Sequence, residues 1–285
     1  MTTPSAKFVT AATVAASLDL TTKPERWRAG PPFDTLNLRP GRVILIGAPP
    51  GTGKTTLALQ VVSDILTHNP KLRAVVGNVE MAPAALVEKL LVRFAAVDYT
   101  ALQGRELLAD ERARIKQVVG NHAALLERLA FLDPPFTLRH LGCALLEFNA
   151  RLALVDYAQR FITGEGDDRA KLDTLMSGVR ALASGGAGIV LISSVSRQRT
   201  RSGSSTYADL GLASFRGSSE IEFGADGAYI LDTIAESGVA LLKCEKNRFR
   251  PPCDIHLRFD GSRQTFSAGD PLDQFDAAKG GEKDR

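Results

Sequence analysis

From residue 42 onward the chain alternates short, mainly apolar runs with longer stretches in which apolar residues recur every three or four positions. The apolar runs are Val43-Ile44-Leu45-Ile46, Ala74 to Val79, Leu129 to Leu132, Leu152-Ala153-Leu154-Val155-Asp156 and Gly188 to Ser193. Their brevity and lack of polar alternation predict strands buried on both faces. Between them, Leu57, Ala58, Val61, Val62, Ile65 and Leu66 mark one helix. Leu86, Leu90, Leu91 and Phe94 mark a second, which starts near Pro83, a favoured first-turn residue. A polar helical stretch follows from Glu106 to Leu129, and further helices are expected over Thr137 to Asn149 and about Ala170 to Ala183. This alternation predicts an α/β fold, a mostly parallel central sheet with helices on both faces. Three strand-like runs at 228–234, 239–245 and 254–260 follow with little helix between them. They predict antiparallel strands added to the sheet by the C-terminal part of the chain.

The flanks read differently. Residues 1–31 are expected to form an N-terminal arm, with Phe8, Val9, Ala12, Val14 and Leu18 in a rough helical stripe. Thr21 to Pro40 holds four prolines and Trp27 and reads as an extended linker. The main domain is placed at 32–266, and the polar stretch 267–285 is expected to be disordered. Within the domain, residues 196–222 are polar, rich in Gly and Ser, and long for a loop, which points to function.

Composition narrows the classes. A net charge of +3 is too mild to announce nucleic-acid binding, so any basic surface must be local. Cys143, Cys244 and Cys253 form no CxxC pair and read as small buried hydrophobes in a reducing compartment. No segment approaches the roughly 18 to 20 apolar residues of a membrane span, so no membrane partner is expected and the protein is read as cytoplasmic.

The strongest chemical signal is Gly47-Ala48-Pro49-Pro50-Gly51-Thr52-Gly53-Lys54-Thr55-Thr56, set between a strand and a helix. The glycines let backbone N–H groups turn inward around phosphate oxygens, and the helix that starts at Lys54 adds its positive end. Residues Ala48 to Thr56 are thus read as the nucleotide cradle. Lys54 is expected to reach the β- and γ-phosphates of ATP, and the Thr55 hydroxyl to hold Mg²⁺. Asp156 ends an apolar strand and reads as the second metal carboxylate, with a helix cap as the competing reading. Glu80 closes the strand after the P-loop helix. A carboxylate there, taken as next to the P-loop strand, would activate the attacking water; the alternative is a Glu favoured near a helix N-terminus.

Taken together, Asn78-Val79-Glu80-Met81, Leu154-Val155-Asp156-Tyr157-Ala158-Gln159 and Ser196-Arg197 resemble the RecA-like ATPase domain of DnaB-type replicative helicases. So do Phe215-Arg216-Gly217-Ser218-Ser219-Glu220-Ile221-Glu222, Ala225-Asp226 and Lys246-Asn247-Arg248, in colinear order across roughly residues 32–262. The resemblance implies a RecA-like P-loop NTPase that hydrolyses ATP with Mg²⁺ at subunit interfaces. It also implies that Lys246 and Arg248 complete the site of the adjacent subunit as a trans-acting lysine and arginine finger. An arginine so placed contributes roughly 10³–10⁵ in rate.

The chain departs from the family at two points. Ser194 stands where the family has a glutamine sensor, with Gln198 four residues on as a substitute, and the first 40 residues are expected to supply at most a linker helix in place of the N-terminal collar domain. For nucleic acid, Arg197, Arg199 and Arg201 in their Gly/Ser setting are the candidates for tracking a phosphate backbone, with Tyr207 and Phe215 as stacking or packing residues. Arg169, Lys171 and Arg180 read as an exposed helix face. The expectation is a hexameric, helicase-like motor on single-stranded DNA from a phage, plasmid or mobile-element replication system, with a loader or other replication protein as partner. A non-unwinding ATPase acting as a regulator or assembly switch, or a RecA/RadA-like recombinase relative, is the alternative.

Overall fold

The computed structural model describes residues 9–161, 168–195, 198–199, 205–206, 210–211, 214–215, 224–234 and 237–271, with 168–169, 198–199, 205–206 and 234 described by backbone alone. In chain order the helices are α1 (Ala11–Ala16), α2 (Lys54–His68), α3 (Pro83–Ala95), α4 (Tyr99–Gly104), α5 (Ala109–Asn121), α6 (Ala123–Leu126), α7 (Leu138–Glu147) and α8 (Asp168–Ser184). The first five strands are β1 (Val43–Ala48), β2 (Ala74–Asn78), β3 (Leu129–Phe131), β4 (Leu152–Asp156) and β5 (Gly188–Ser194). Then come β6 (Gln198–Arg199), β7 (Ser205–Thr206), β8 (Gly227–Ile234), β9 (Val239–Asn247), β10 (Ile255–Asp260) and β11 (Thr265–Ala268).

Nine of these strands form one sheet in the order β11-β10-β9-β8-β1-β5-β4-β2-β3, while β6 and β7 pair separately as a short hairpin. The run from β8 to β3 is parallel throughout, and β9, β10 and β11 are antiparallel to their neighbours. β1, β2 and β4 are buried at every position, as strands covered on both faces must be. Their side chains alternate between two cores. Ile44 and Ile46 face α2 with Leu57, Val61 and Ile65, whereas Val43 and Leu45 face α7 and α8 with Leu141, Leu175 and Val179. A smaller cluster of Val92, Ala95, Leu102 and Val118 joins α3, α4 and α5.

The structure corrects the sequence reading in several places. Residues 27–38 are not a linker: Trp27, Ala29, Phe33, Leu36 and Leu38 are all buried in the α2-side core. This stretch packs against α2 and the sheet instead of extending away from them. Trp27 finds its seat because Gly188 has no side chain; a Cβ there would lie 2.4 Å from the indole Cζ3. α1, by contrast, buries none of its residues. The polar stretch from 106 resolves into α5 and α6, and α4 before it had too short a pattern to detect. β8 is parallel to β1, not antiparallel, so the antiparallel addition starts one strand later. β11 carries the sheet two residues into the stretch read as a tail, because Phe266 packs into the core. Cys244 is buried, but Cys143 and Cys253 are exposed. No helix among the described residues is long and apolar enough to cross a membrane.

Candidate nucleotide site

The parallel register brings the C-terminal ends of β1, β5, β4 and β2 to one edge of the sheet. Ala48 pairs with Ser194, and Asn78 with Asp156. Ligands of such sheets bind beyond these ends. The P-loop leaves β1 there and enters α2 through Gly51 and Gly53, both with positive φ, 82° and 84°, where a side chain would be strained. Thr52 Oγ1 donates to the Pro49 carbonyl at 2.8 Å and closes the turn. Lys54 and Thr55, half-buried, open the 15-residue helix α2, whose first N–H groups and dipole face the loop.

Asp156 stands at the bottom of this cradle, 1% exposed. Its Oδ2 accepts hydrogen bonds from Thr55 Oγ1 at 2.6 Å and from Asn78 Nδ2 at 2.8 Å. Its Oδ1 is buried with no hydrogen-bond partner among the described residues. Burial pushes the Asp156 carboxyl up to about 6; the Thr55 hydrogen bond and Lys54 pull it down, and Glu80 adds to the rise. A hydroxyl in contact with a buried carboxylate that keeps one oxygen unused is a donor set that fits a hard divalent cation. The helix-cap alternative for Asp156 fails, since its carboxylate meets α2 and β2 instead of a following helix.

Glu80 is exposed, and its strand is not the neighbour of the P-loop strand: β5 and β4 lie between. What brings it to the site is Asn78. The Asn78 Oδ1 accepts from the backbone N–H of Glu80 at 2.9 Å and of Met81 at 2.7 Å, while its Nδ2 grips Asp156. One amide thus ties the turn carrying Glu80 to the buried Asp156 carboxylate. Sequence reasoning gave Asn78 no role, although an Asn two residues before a strand-end Glu is a signal for such a turn.

A second group that the sequence did not reveal braces the loop from the other side. Phe259 and Phe266 stack with centroids 4.4 Å apart, and both rings close on Gly53, where a Cβ would lie 3.1 Å from Phe266 and 3.2 Å from Phe259. Gln60, 4% exposed on α2, exchanges two 2.7 Å hydrogen bonds with the backbone of Phe266. Thr56 Oγ1 donates to Gln264 at 2.9 Å, and Lys89 also donates to Gln264. The edge hairpin β10–β11 is therefore fastened to the first turns of α2.

At Ser194, the last residue of β5, an amide is present after all, delivered from a different segment. Gln159, in the turn after β4, donates to Ser193 Oγ at 2.9 Å and accepts from the Ser194 N–H at 3.5 Å. Gln198 lies in β6, described by backbone alone. Phe215 is a packing residue: it is 3% exposed, bridges Val195, and its ring takes the space above Gly47. Arg199 sits in β6 by backbone, while Arg197, Arg201, Ser196, Tyr207 and 216–223 lie outside the described residues.

Lys246, Asn247 and Arg248 are far from this edge. Asn247 pairs with Gly227, which pairs with Ile44 at the foot of β1, roughly 13 Å of strand below the P-loop. Lys246 is half-buried and the Arg248 side chain 47% exposed. Arg248 Nη1 lies 3.1 Å from Asp226 Oδ1, and Arg180 Nη1 lies 2.6 Å from Oδ2. Arg180 is thus an ion-pair partner of a buried acid, not simply an exposed helix residue; Lys171 is half-buried, and the Arg169 side chain lies outside the described residues.

Among solved structures, the chain is similar to the ATPase domain of G40P, at 16% identity and a TM-score of 0.72, over 83% of this chain and 87% of that one. It is similar to a DnaB-like replicative helicase, described with its interactions with primase, at 16% identity and a TM-score of 0.73 over 83% of this chain and 59% of that one. The RadB recombinase matches at 19% identity and a TM-score of 0.54, over 86% and 100% of the two chains. Identities this low speak to the fold. The model of the DnaB-like helicase C-terminal domain matches residues 34–268, from just before β1 to the last residue of β11. On that match the chain belongs to the DnaB-like helicase C-terminal domain family, RecA-fold ATPases of replicative-helicase type.

Proposed function

We propose that the chain hydrolyses ATP with Mg²⁺ at the interfaces of a homo-oligomer, a hexameric ring, and uses that cycle to move on single-stranded DNA. The observation that carries this reading is the polarity of the sheet. The P-loop, Asp156 and Glu80 gather at one edge, while Lys246 and Arg248 stand at the opposite end of β9, out of reach of their own P-loop. A finger at that end serves only the nucleotide of a neighbour.

Residues Ala48 to Thr56 bind the phosphates, Lys54 reaches their outer oxygens, and Thr55 with Asp156 holds the metal. Bound Mg²⁺ supplies neutralisation of phosphate charge. Glu80, aimed by Asn78, takes the proton of the attacking water. Arg197, Arg199 and Arg201 contact the strand, and a loader or another replication protein delivers it.

The test is steady-state ATPase activity with and without single-stranded DNA at two salt concentrations, beside a Lys54→Ala control. Stimulation that weakens as salt rises is the expected result. Hydrolysis indifferent to DNA would replace the motor by a nucleotide-dependent regulator. Strand exchange without directional unwinding would point to a recombinase relative. For the finger, Arg248→Ala and Lys54→Ala subunits, each inactive alone, should recover activity when mixed, because some interfaces then carry an intact P-loop and an intact arginine.

A further inference from the structure

Two arginines, Arg180 and Arg248, share one buried acid at the foot of β1. Asp226, 3% exposed in the turn before β8, is tied to both flanking strands by its backbone: its N–H donates to the Val43 carbonyl, and its carbonyl accepts from the Arg248 N–H, each at 2.8 Å. Its carboxylate is shared. Oδ2 accepts from the Val43 N–H at 3.0 Å and from Arg180, and Oδ1 accepts from Arg248. Arg42, 5% exposed, lies 3.7 Å from the centroid of the Phe249 ring, and its Nε has no hydrogen-bond partner among the described residues. Arg39 lies over the same ring at 5.9 Å, and Arg250 is close enough to repel Arg42. Burial first, and then Arg39, pushes Arg42 down to about 10, with Asp226 pulling the other way.

A long side chain in this crowd has strong reasons to swing away. Arg248 follows the last residue of its strand, its side chain is half exposed, and Arg180 shares the carboxylate it is paired with. Yet a finger reaches a neighbour's phosphate efficiently only if its pose is fixed before the two meet. The backbone of Arg248 and its guanidinium are both held by the same residue, and the hold leaves 47% of the side chain open. We propose that Asp226 is the positioning residue for Arg248, fixing the finger by a charge-assisted clamp while leaving it accessible to the adjacent subunit. This rests on the reading of Arg248 as a trans-acting finger.

Asp226→Asn keeps the shape and an oxygen for the Val43 N–H but loses the charge. In the full-length, assembled protein with saturating single-stranded DNA, it should lower kcat about tenfold and leave KM for ATP within about twofold. Mixing experiments then separate the causes. Asp226→Asn subunits mixed with Lys54→Ala subunits should regain activity, since the latter bring a sound finger to a sound P-loop. Mixed with Arg248→Ala subunits they should not, because every finger is then defective. Recovery with Arg248→Ala but not with Lys54→Ala would place the defect in the subunit's own nucleotide site and overturn the proposal. So would recovery with neither, or a kcat within twofold of wild type. If Arg248→Ala and Lys54→Ala themselves fail to complement in verified mixed assemblies, the trans reading falls, and the role of Asp226 with it. Should Asp226→Asn fail to assemble, Asp226→Glu, which keeps the charge one methylene further out, is read by the same pattern.

Discussion

Replacing Asp156 by asparagine keeps the shape of the side chain and removes its charge. The amide oxygen can stand where Oδ2 stands now and accept from Thr55 and Asn78, and the amide nitrogen takes the place of the oxygen that has no partner. The rise of the Asp156 carboxyl from 3.8 to about 6 sets the size of the effect. At about 1.4 kcal/mol per pH unit, the charged form costs the folded state about 3 kcal/mol. A buried, unpaired amide donor takes back about 1 kcal/mol, which leaves about 2 kcal/mol in favour of asparagine. Because the folded carboxyl holds its proton more tightly than the unfolded one, this cost is absent below about pH 4. It grows between pH 4 and 6, and is complete above 6. The assay is urea denaturation of both proteins with EDTA and no nucleotide, at pH 7.5 and pH 4.5. Asp156→Asn should be the more stable at pH 7.5, by a margin that narrows at pH 4.5. It should also lose both ATPase activity and the stabilisation by MgATP expected of the wild type. An asparagine protein no more stable than wild type at pH 7.5, or a margin indifferent to pH, would refute the argument that burial strains this carboxylate.

Trp27→Ala should destabilise the fold by about 3–5 kcal/mol, as for other large buried side chains. Trp27 is the only tryptophan, so circular dichroism in urea is the measurement, and a loss under about 1 kcal/mol would return residues 21–40 to the status of a linker. Gln60→Leu leaves the Phe266 N–H and carbonyl buried without partners. It should cost about 2–4 kcal/mol and raise KM for ATP, because the Phe259–Phe266 pair no longer braces Gly53. Unchanged stability in urea would count against that bracing. Lys54→Ala should leave the urea midpoint almost unchanged while ATPase activity falls to background, since the half-exposed ammonium contributes little to the core.

The parallel half of the fold was legible because its strands are covered on both faces, and continuous apolar runs such as Val43 to Ile46 have few other homes. The glycine turn into α2 was legible because Gly51, Gly53, Lys54 and Thr55 are adjacent in the chain. What stayed hidden depends on partners distant in sequence. Trp27 looked like a linker residue because its pocket is made by Gly188, and Gln60 looked like any helical glutamine because its partner is 206 residues away. The placement of Glu80 was wrong as to its strand's neighbour because local patterns carry no strand order. Asn78 corrects for that distance through one side chain. Arg180 was misread for the same reason, since its acid belongs to the turn before β8.

The ring of Phe215 occupies the volume that any side chain at position 47 would need: a Cβ there would lie 2.4 Å from Phe215 Cε1 and 2.9 Å from Val195 Cγ1. The two positions therefore share one parcel of space, and sequence drift can spend it only once. Across relatives, a glycine at 47 should travel with an aromatic at 215, and an alanine or larger residue at 47 with a smaller one. A lineage crossing between the two states must first pass through a small residue at both positions, with a void beside the phosphate loop. Grafting the segment that contains 215 from one relative into another will fail wherever residue 47 is not carried along.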